Sequence, residues 1–371
     1  MSTIDEFASG FLEEPGYLDY AHFGPLSATV NAEITANADV LSRARFGTIE
    51  RLDAEDERMR RAVSTVTGFP AEQVVYRPNT SIALMQTMFS LTGGVLLSPA
   101  EHPSVTFAAV RAAESMHAVA PVWLETDHGR VTPGQIREQI TATTAAVAVS
   151  LVDARTGHVA DIDGIRQVIG DRLLVVDATL GLGVVDAPYP VADVVASGGH
   201  TWLRAGWGTG LLALSARALE RLTPVISGYP GIGDETAWDQ VPAPQRQASA
   251  FEVSHPDRVA EARLAAALEE VAAVGVAQIE AAVGERAGQL IDLADQFAIP
   301  LSSSRDESER AGIVLLRPDA DRLTLLAAAL FNHGVSATTM PTGIRLSVHA
   351  GTDTETMDML RQAFISFATA R

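Results

Sequence analysis

Five stretches of the chain carry side chains that could bind an anion, stack on a flat ring or move a proton. Arg77-Pro78-Asn79-Thr80-Ser81 leads into an apolar helical pattern over 82–91. Asn79, Thr80 and Ser81 at a helix start can cap free N–H groups, and such a start can also hold a phosphate. Pro99-Ala100-Glu101-His102-Pro103 follows an apolar run and offers His102 as a ring that could stack on a flat ligand or simply sit in a loop. Asp177 ends the apolar run 173–176, and a carboxylate in that place needs a partner, either a protonated pyridine nitrogen or a structural arginine. Gly198-Gly199-His200-Thr201-Trp202-Leu203 precedes Gly206-Trp207-Gly208-Thr209-Gly210-Leu211, where the glycines permit a tight turn or close approach of backbone to a ligand. Gly343-Ile344-Arg345-Leu346-Ser347 places Arg345 in a short strand, able to grip a carboxylate through two parallel hydrogen bonds or to form an ordinary salt bridge. Histidine as a residue type titrates near neutral pH, which makes His200 and His102 the candidate acid–base groups.

The elements that must carry these residues are legible as short Val-, Leu- and Ala-rich runs at 74–76, 95–98, 118–124, 146–152, 173–177, 193–197 and 210–214. Most lack alternation, which is the pattern of strands buried on both faces. Helical stretches such as 104–115 and 161–169 lie between them, so the expected architecture is an α/β layered domain with a mostly parallel sheet of seven strands. Ligands in such sheets sit at the carboxyl ends of the strands, where the polar residues above fall. The character changes after Trp238. Residues 241–247 hold two prolines and read as a linker, Pro256 precedes a long Ala-rich helix over 258–274, and a second helix runs over 279–297. Short strands at 312–316, 335–340 and 343–348 and a last helix from Thr354 complete a smaller α+β domain. The expected division is a large domain over 15–245 and a small one over 246–371, with 1–14 as an N-terminal arm.

Composition narrows the function classes. The net charge of −19 opposes binding to nucleic acid or anionic lipid. No apolar run approaches bilayer length and residues 1–10 show no signal-peptide core, so a cytoplasmic protein is expected. There is no cysteine, hence no disulfide, thiolate metal site or thiol nucleophile, and no metal site is expected. The 27 basic residues are all arginine, so the chain also lacks lysine. A GC-rich genome accounts for scarcity of lysine better than for its absence. Avoidance of both strong nucleophiles would suit a protein that handles an electrophile.

The order and spacing of these motifs resemble the class V aminotransferase and cysteine-desulfurase family of fold type I enzymes that use pyridoxal phosphate (PLP). The matching pieces include Tyr17-Leu18-Asp19-Tyr20-Ala21, Asn79-Thr80-Ser81, Glu101-His102, Val152-Asp153 with Thr156-Gly157, Val176-Asp177-Ala178, 197–203, Gly208-Thr209-Gly210 and 343–347. The resemblance spans nearly the whole chain. It implies a phosphate cup of Asn79, Thr80 and Ser81, a ring stacked on His102, Asp177 paired with the pyridine nitrogen, His200 beside the cofactor and Arg345 on a substrate carboxylate. It also implies a homodimer with sites near the subunit interface, where Trp207, Phe251 and Glu252 fall in lining stretches.

The sequence departs from the family at the centre of that site. His200-Thr201-Trp202 has threonine where the family carries the lysine that holds PLP, and threonine has neither an amine nor useful basicity. Leu180 and Gly198 stand where the family has polar residues that contact the cofactor. The expected function is a repurposed enzyme acting on a small carboxylate-bearing, possibly electrophilic metabolite. PLP or its amine form, pyridoxamine phosphate (PMP), would be held non-covalently, or no cofactor at all. Without a mobile cysteine to accept sulfur, cysteine desulfurase activity is excluded on this reading. The alternatives are a non-catalytic subunit that pairs with an active paralogue and a lysine-free variant of an ordinary aminotransferase or lyase.

Overall fold

The computed structural model describes residues 3–43, 45–127, 129–232 and 240–370. Trp238, where the composition changes, lies outside the described residues. The short apolar runs form a seven-stranded sheet: β1 Val74–Tyr76, β2 Gly93–Leu97, β3 Val119–Trp123, β4 Thr144–Ser150, β5 Leu173–Asp177, β6 Val194–Gly198 and β7 Gly210–Leu214. Their order is β1-β7-β6-β5-β4-β2-β3. β7 runs antiparallel to both β1 and β6, and the other pairings are parallel. This is the fold type I aminotransferase-like sheet expected from the sequence, with strand edges shifted by one or two residues.

Missing alternation in the sequence has a direct cause in the packing. Leu174 and Val176 of β5 join Val147 and Val149 of β4 in one core, whereas Leu173 and Val175 join Ala146 and Ala148 in another on the opposite face. Both faces being dry, neither selects polar residues. From β2 the chain passes to β3 at the sheet edge and then to β4 on the other side of β2. The winding therefore reverses between β2 and β4, and a crevice opens there at the carboxyl ends of the strands.

The smaller sheet has the order β8-β10-β9, all antiparallel, with β8 Ile313–Leu316, β9 Thr338–Met340 and β10 Gly343–Ser347. Helices Arg258–Val274, Val276–Gln296 and Thr354–Thr369 accompany it. Asp257 starts the first by accepting bonds from the N–H groups of Val259 and Ala260. Gly275, at φ +94°, separates the first helix from the second, which is why the second begins earlier than the expected residue 279. Among the described residues no helix is long and apolar enough to cross a membrane.

The N-terminal stretch ties the two sheets together. Tyr17 and Asp19 form parallel bridges with Ser336 and Ser347, so these residues extend the smaller sheet. A few residues on, Gly24 donates its N–H to the carbonyl of His200 at 2.7 Å. A Cβ at position 24 would lie 1.9 Å from the carbonyl oxygen of Thr201. The turn carrying His200 and Thr201 is thus clamped by a backbone contact that only glycine allows. Gly24→Ala is expected to destabilise the protein by about 1–3 kcal/mol or more, as overpacking against backbone does, seen as a lower thermal midpoint. A wild-type midpoint in that variant would show that the turn is free to move.

Candidate active site

A cavity of about 400 Å³ opens at the crevice and gathers the candidate residues from five strand ends. Asn79, Thr80 and Ser81 come from the helix after β1, and His102 from the segment after β2. Asp177 ends β5, His200 and Thr201 follow β6, and Trp207 stands at the approach to β7. Arg345 enters from β10 of the smaller sheet. Phe251 and Glu252 do not reach this cavity. Phe251 is buried in the second core, and Glu252 pairs with Arg60 at 2.6 Å on the rim of a neighbouring 490 Å³ cavity.

Asp177 is 6% exposed, and one of its oxygens is already engaged. Its Oδ1 accepts the N–H and the hydroxyl of Thr179 at 3.0 and 2.6 Å. Among the described residues Oδ2 accepts no hydrogen bond, and no arginine pairs with the carboxylate. Burial pushes its pKa up, while the Thr179 bonds and the nearby His102 and His200 rings pull the other way. The structural-arginine account of Asp177 therefore fails.

Thr179 is the hub of the site, and it was not singled out from the sequence. Its hydroxyl donates to Asp177, so at its 2.5 Å contact with Thr80 it must accept. The Thr80 proton is thus spent on Thr179, and Thr80 supports Asp177 rather than offering a proton to a phosphate. The Thr179 carbonyl accepts the hydroxyl of Thr201 at 2.7 Å. Thr201, 1% exposed, is tied down in turn. The spacing Asp177-Ala178-Thr179, an aspartate bonding its own backbone two residues on, is the signal that could have flagged it.

The anion-facing end retains other donors. Asn79 Oδ1 caps the helix by accepting from Ile82 N at 2.9 Å, which leaves its amide NH₂ available. Ser81 and Ser104 share a hydrogen bond at 2.8 Å. His102 Nδ1 accepts from Ser104 N at 3.2 Å and caps the next helix, so its ring is oriented by the backbone. His200 lies against Gly198, where a Cβ would meet its Nδ1 at 2.9 Å and the Thr80 hydroxyl at 3.0 Å. Burial lowers the pKa of His200, with His22 adding to the effect and Asp177 opposing it.

Arg345 is buried and partly committed. Its guanidinium donates to the Ala154 carbonyl at 2.9 Å and to Thr338 at 3.2 Å, and lies 3.8 Å from Asp19. Two of five N–H donors are used, and Nε is buried without a partner. Among the described residues no group of three or more His, Cys, Asp or Glu could hold a metal.

Comparison with known proteins gives the family and the fold. The sequence profile of the aminotransferase class-V family matches residues 35–368. A probable cysteine desulfurase from Methanothermobacter thermautotrophicus is 27% identical over 230 residues, covering 58% of this chain and 57% of that protein. The match thus spans little over half the length of that curated relative. The apo structure of the cysteine desulfurase from Thermococcus onnurineus superposes with a TM-score of 0.83 over 97% of each chain, at 19% identity. The cystine C–S lyase C-DES, solved with its product cysteine persulfide, superposes with a TM-score of 0.86 over 96% of this chain and 98% of its own, at 18% identity. In another structure of C-DES, glycine is covalently linked to the PLP cofactor.

These relatives correct one expectation. Cysteine desulfurase activity was excluded because the chain has no cysteine, yet its relatives carry that name, and the exclusion falls. A physical reason is visible in C-DES, whose product is itself a persulfide: there the sulfur leaves on the product.

One acid behind the cavity makes a pH prediction. Glu101 accepts the N–H of Ser150 at 2.8 Å, and burial pushes its pKa up to about 7, with Asp177 and Asp153 adding to the rise. The folded state then holds a proton that the unfolded chain has released. Stability falls as pH rises from the ordinary carboxyl value to about 7, and this loss is complete above it. Glu101→Gln keeps an acceptor for Ser150 and removes the charge. It should gain on the order of 1 kcal/mol or more relative to wild type between pH 5 and pH 8 in denaturant titrations. An equal pH dependence in both proteins would remove Glu101 from this account.

Proposed function

The chain belongs to the class V aminotransferase family, and from that premise we propose that its cavity holds PLP or PMP without a covalent tether and presents it to a small carboxylate-bearing substrate. Asp177 carries the reading. A buried carboxylate with one oxygen unpaired, at the floor of a 400 Å³ cavity and without an arginine, calls for a cationic ring nitrogen. The rest of the cavity fits the same group. His102 is oriented by its own helix cap to lie against a ring. The Asn79 amide, Ser81 and the first free N–H groups of the helix Thr80–Phe89 suit a phosphate.

Thr201 stands at the position of the family's lysine, and no other lysine exists in the 371 residues. Its hydroxyl serves to hold the turn. PLP, when bound, supplies an electron sink, and PMP an amine. The chain's own part is to orient and to move protons. His200, whose pKa burial lowers and Asp177 raises, can take a proton at a ring nitrogen beside that carboxylate. Arg345 offers the remaining N–H of each terminal nitrogen to the substrate carboxylate. Substrates that carry sulfur, like those of the relatives, fall within this reading.

The working unit in this reading is a homodimer. Trp207 is 69% exposed beside the cavity and stacks on Phe23 at 4.5 Å, and Ile82 and Val253 are exposed near the adjacent cavity. A second copy would cover them. Sedimentation equilibrium should return twice the 39.2 kDa chain mass; a monomer at micromolar concentration would sink the dimer.

Titration with PMP and PLP tests the cofactor reading. Ligand at about 100 times its Kd should stabilise the fold by about 2.7 kcal/mol in thermal unfolding. Asp177→Asn should weaken binding about tenfold or more. PLP should leave wild type on desalting, whereas Thr201→Lys should retain it through borohydride reduction and denaturation. Failure of both ligands to bind wild type would overturn the reading.

A further inference from the structure

Arg204 closes the turn that carries His200 and Thr201, and it does so from a rare backbone conformation. Its φ of +58° lies in the left-handed region. The other two non-glycine residues found there among the described ones, His117 and Ala298, stand at or just past helix ends, where that conformation is usual. Arg204 instead ends a tight loop. Its N–H donates to the Thr201 carbonyl at 3.0 Å, and the next N–H, of Ala205, donates to the Gly199 carbonyl at 2.8 Å. A left-handed arginine persists only where its surroundings hold it.

Those surroundings come from one part of the chain. Arg204 Nε donates to the Pro25 carbonyl and Nη2 to the Gly10 carbonyl, both at 3.0 Å. The guanidinium lies 3.4 Å from the centre of the Phe11 ring and 3.9 Å from the Glu13 carboxylate. All four partners fall within residues 10–25. The side chain is 2% exposed, so these contacts are made out of water, where a cation on a ring and bonds from a charged donor are strongest.

The N-terminal arm is seated as well as tied. Phe11 packs so closely on Gly351 that a Cβ there would come within 2.3 Å of its ring, and the edges of His349 and Tyr20 meet it at 4.6 and 6.3 Å. His349 is fully buried and accepts the Ala350 N–H on Nδ1 at 2.7 Å. Its Nε2 therefore carries the proton and donates to the Trp202 carbonyl at 3.0 Å. The preceding helix, Ile4–Ser9, contributes no buried residue. Phe11 thus touches two side chains, Arg204 and His349, and both end on the turn that bears His200 and Thr201.

We propose that Arg204 is a positioning residue that couples the docking of residues 10–14 to the placement of the His200 and Thr201 turn. With Phe11 seated, the turn is held where the Thr201 hydroxyl reaches the Thr179 carbonyl. With Phe11 withdrawn, Arg204 loses the ring and the Gly10 carbonyl, its left-handed backbone relaxes, and His200 moves with it. Arg204 does not line the cavity, so it acts only through its neighbours. The coupling is a property of the chain itself and is independent of which ligand the cavity holds.

The test uses the full chain without ligand and breaks the contact from either side. Arg204→Gly keeps a residue suited to the left-handed region and removes the side chain. Phe11→Leu removes the ring and leaves the turn untouched. In each variant, hydrogen exchange over residues 199–205 should quicken about tenfold or more, while that of β5 stays at the wild-type rate. The double variant should be no faster than the faster single one, because both act through one contact. The His200 imidazole, followed by NMR and assigned by its loss in His200→Gln, should titrate at a higher pH as the ring leaves its buried setting. Its charged neighbours His22, His102 and Asp177 are the same in every variant, so that rise reports burial alone. Arg204→Lys can still set a cation on Phe11 and donate to Gly10, and should restore most of the protection. Wild-type exchange in the turn, equal acceleration in β5, effects that add in the double variant, or an unmoved His200 titration would each overturn the proposal. Should Arg204→Gly not fold, the same readouts on Phe11→Leu decide it.

Discussion

Thr179 makes four hydrogen bonds that together fix the orientation of Asp177, Thr80 and Thr201 on the cavity floor. Its N–H and hydroxyl both serve Asp177, its oxygen accepts from Thr80, and its carbonyl accepts from Thr201. Once Asp177 is ionised, the direction of each bond follows, because a carboxylate can only accept and each hydroxyl has one proton to give. The chain of donors runs from Thr80 to Thr179 to Asp177. Such a network has no spare proton, so anything that binds there must bring its own donor to Asp177 Oδ2. A neutral aromatic ring without an N–H would leave that oxygen desolvated and unpaired, at a cost of about 1–3 kcal/mol or more for a charged group.

The same constraint shapes the rest of the fold around the site. β5 must end at Asp177, and its residues must be apolar on both faces so that the carboxylate is held in a dry setting at the centre of the sheet. The turn bearing His200 must approach closely enough for Thr201 to reach Thr179, and that approach depends on the backbone of Gly24 pressing from the other side. Because residues 17–19 also pair with the smaller sheet, the position of Arg345 and that of the His200 turn are set by the same N-terminal segment. A displacement of that segment would move the carboxylate site and the acid–base site together.

The sequence showed much of this, for reasons that differ from residue to residue. The strands were visible because continuous apolar runs of three to seven residues are too short for helices and too dry for surfaces. Asp177, His102 and His200 were visible because each is a titratable residue at or just after the end of such a run, and Arg345 because it is a charge inside one. Thr179 was not, since a threonine two residues past a strand is common and its importance lies in which partners the fold brings to it. Thr80 was assigned to the anion because a hydroxyl at a helix start so often serves one; only the placement of Thr179 shows where its proton goes. Within one chain Phe251 and Glu252 fall outside this cavity, because sequence distance says nothing about which side of the Thr80–Phe89 helix a returning loop will pack on.

Gly198, His200 and Thr201 are best understood as one unit. A side chain at position 198 would need the space now filled by the His200 ring and the Thr80 hydroxyl, with contacts at 2.9 and 3.0 Å from its first carbon. A serine there would therefore displace the ring or break the Thr80–Thr179 bond, and with it the ordered chain that serves Asp177. Thr201, for its part, is short enough to stay buried against the Thr179 carbonyl, where a longer side chain would have to leave that contact and extend into the cavity. The three residues thus support one another: the absence of a side chain at 198 admits the histidine, and the threonine at 201 fixes the turn that carries it.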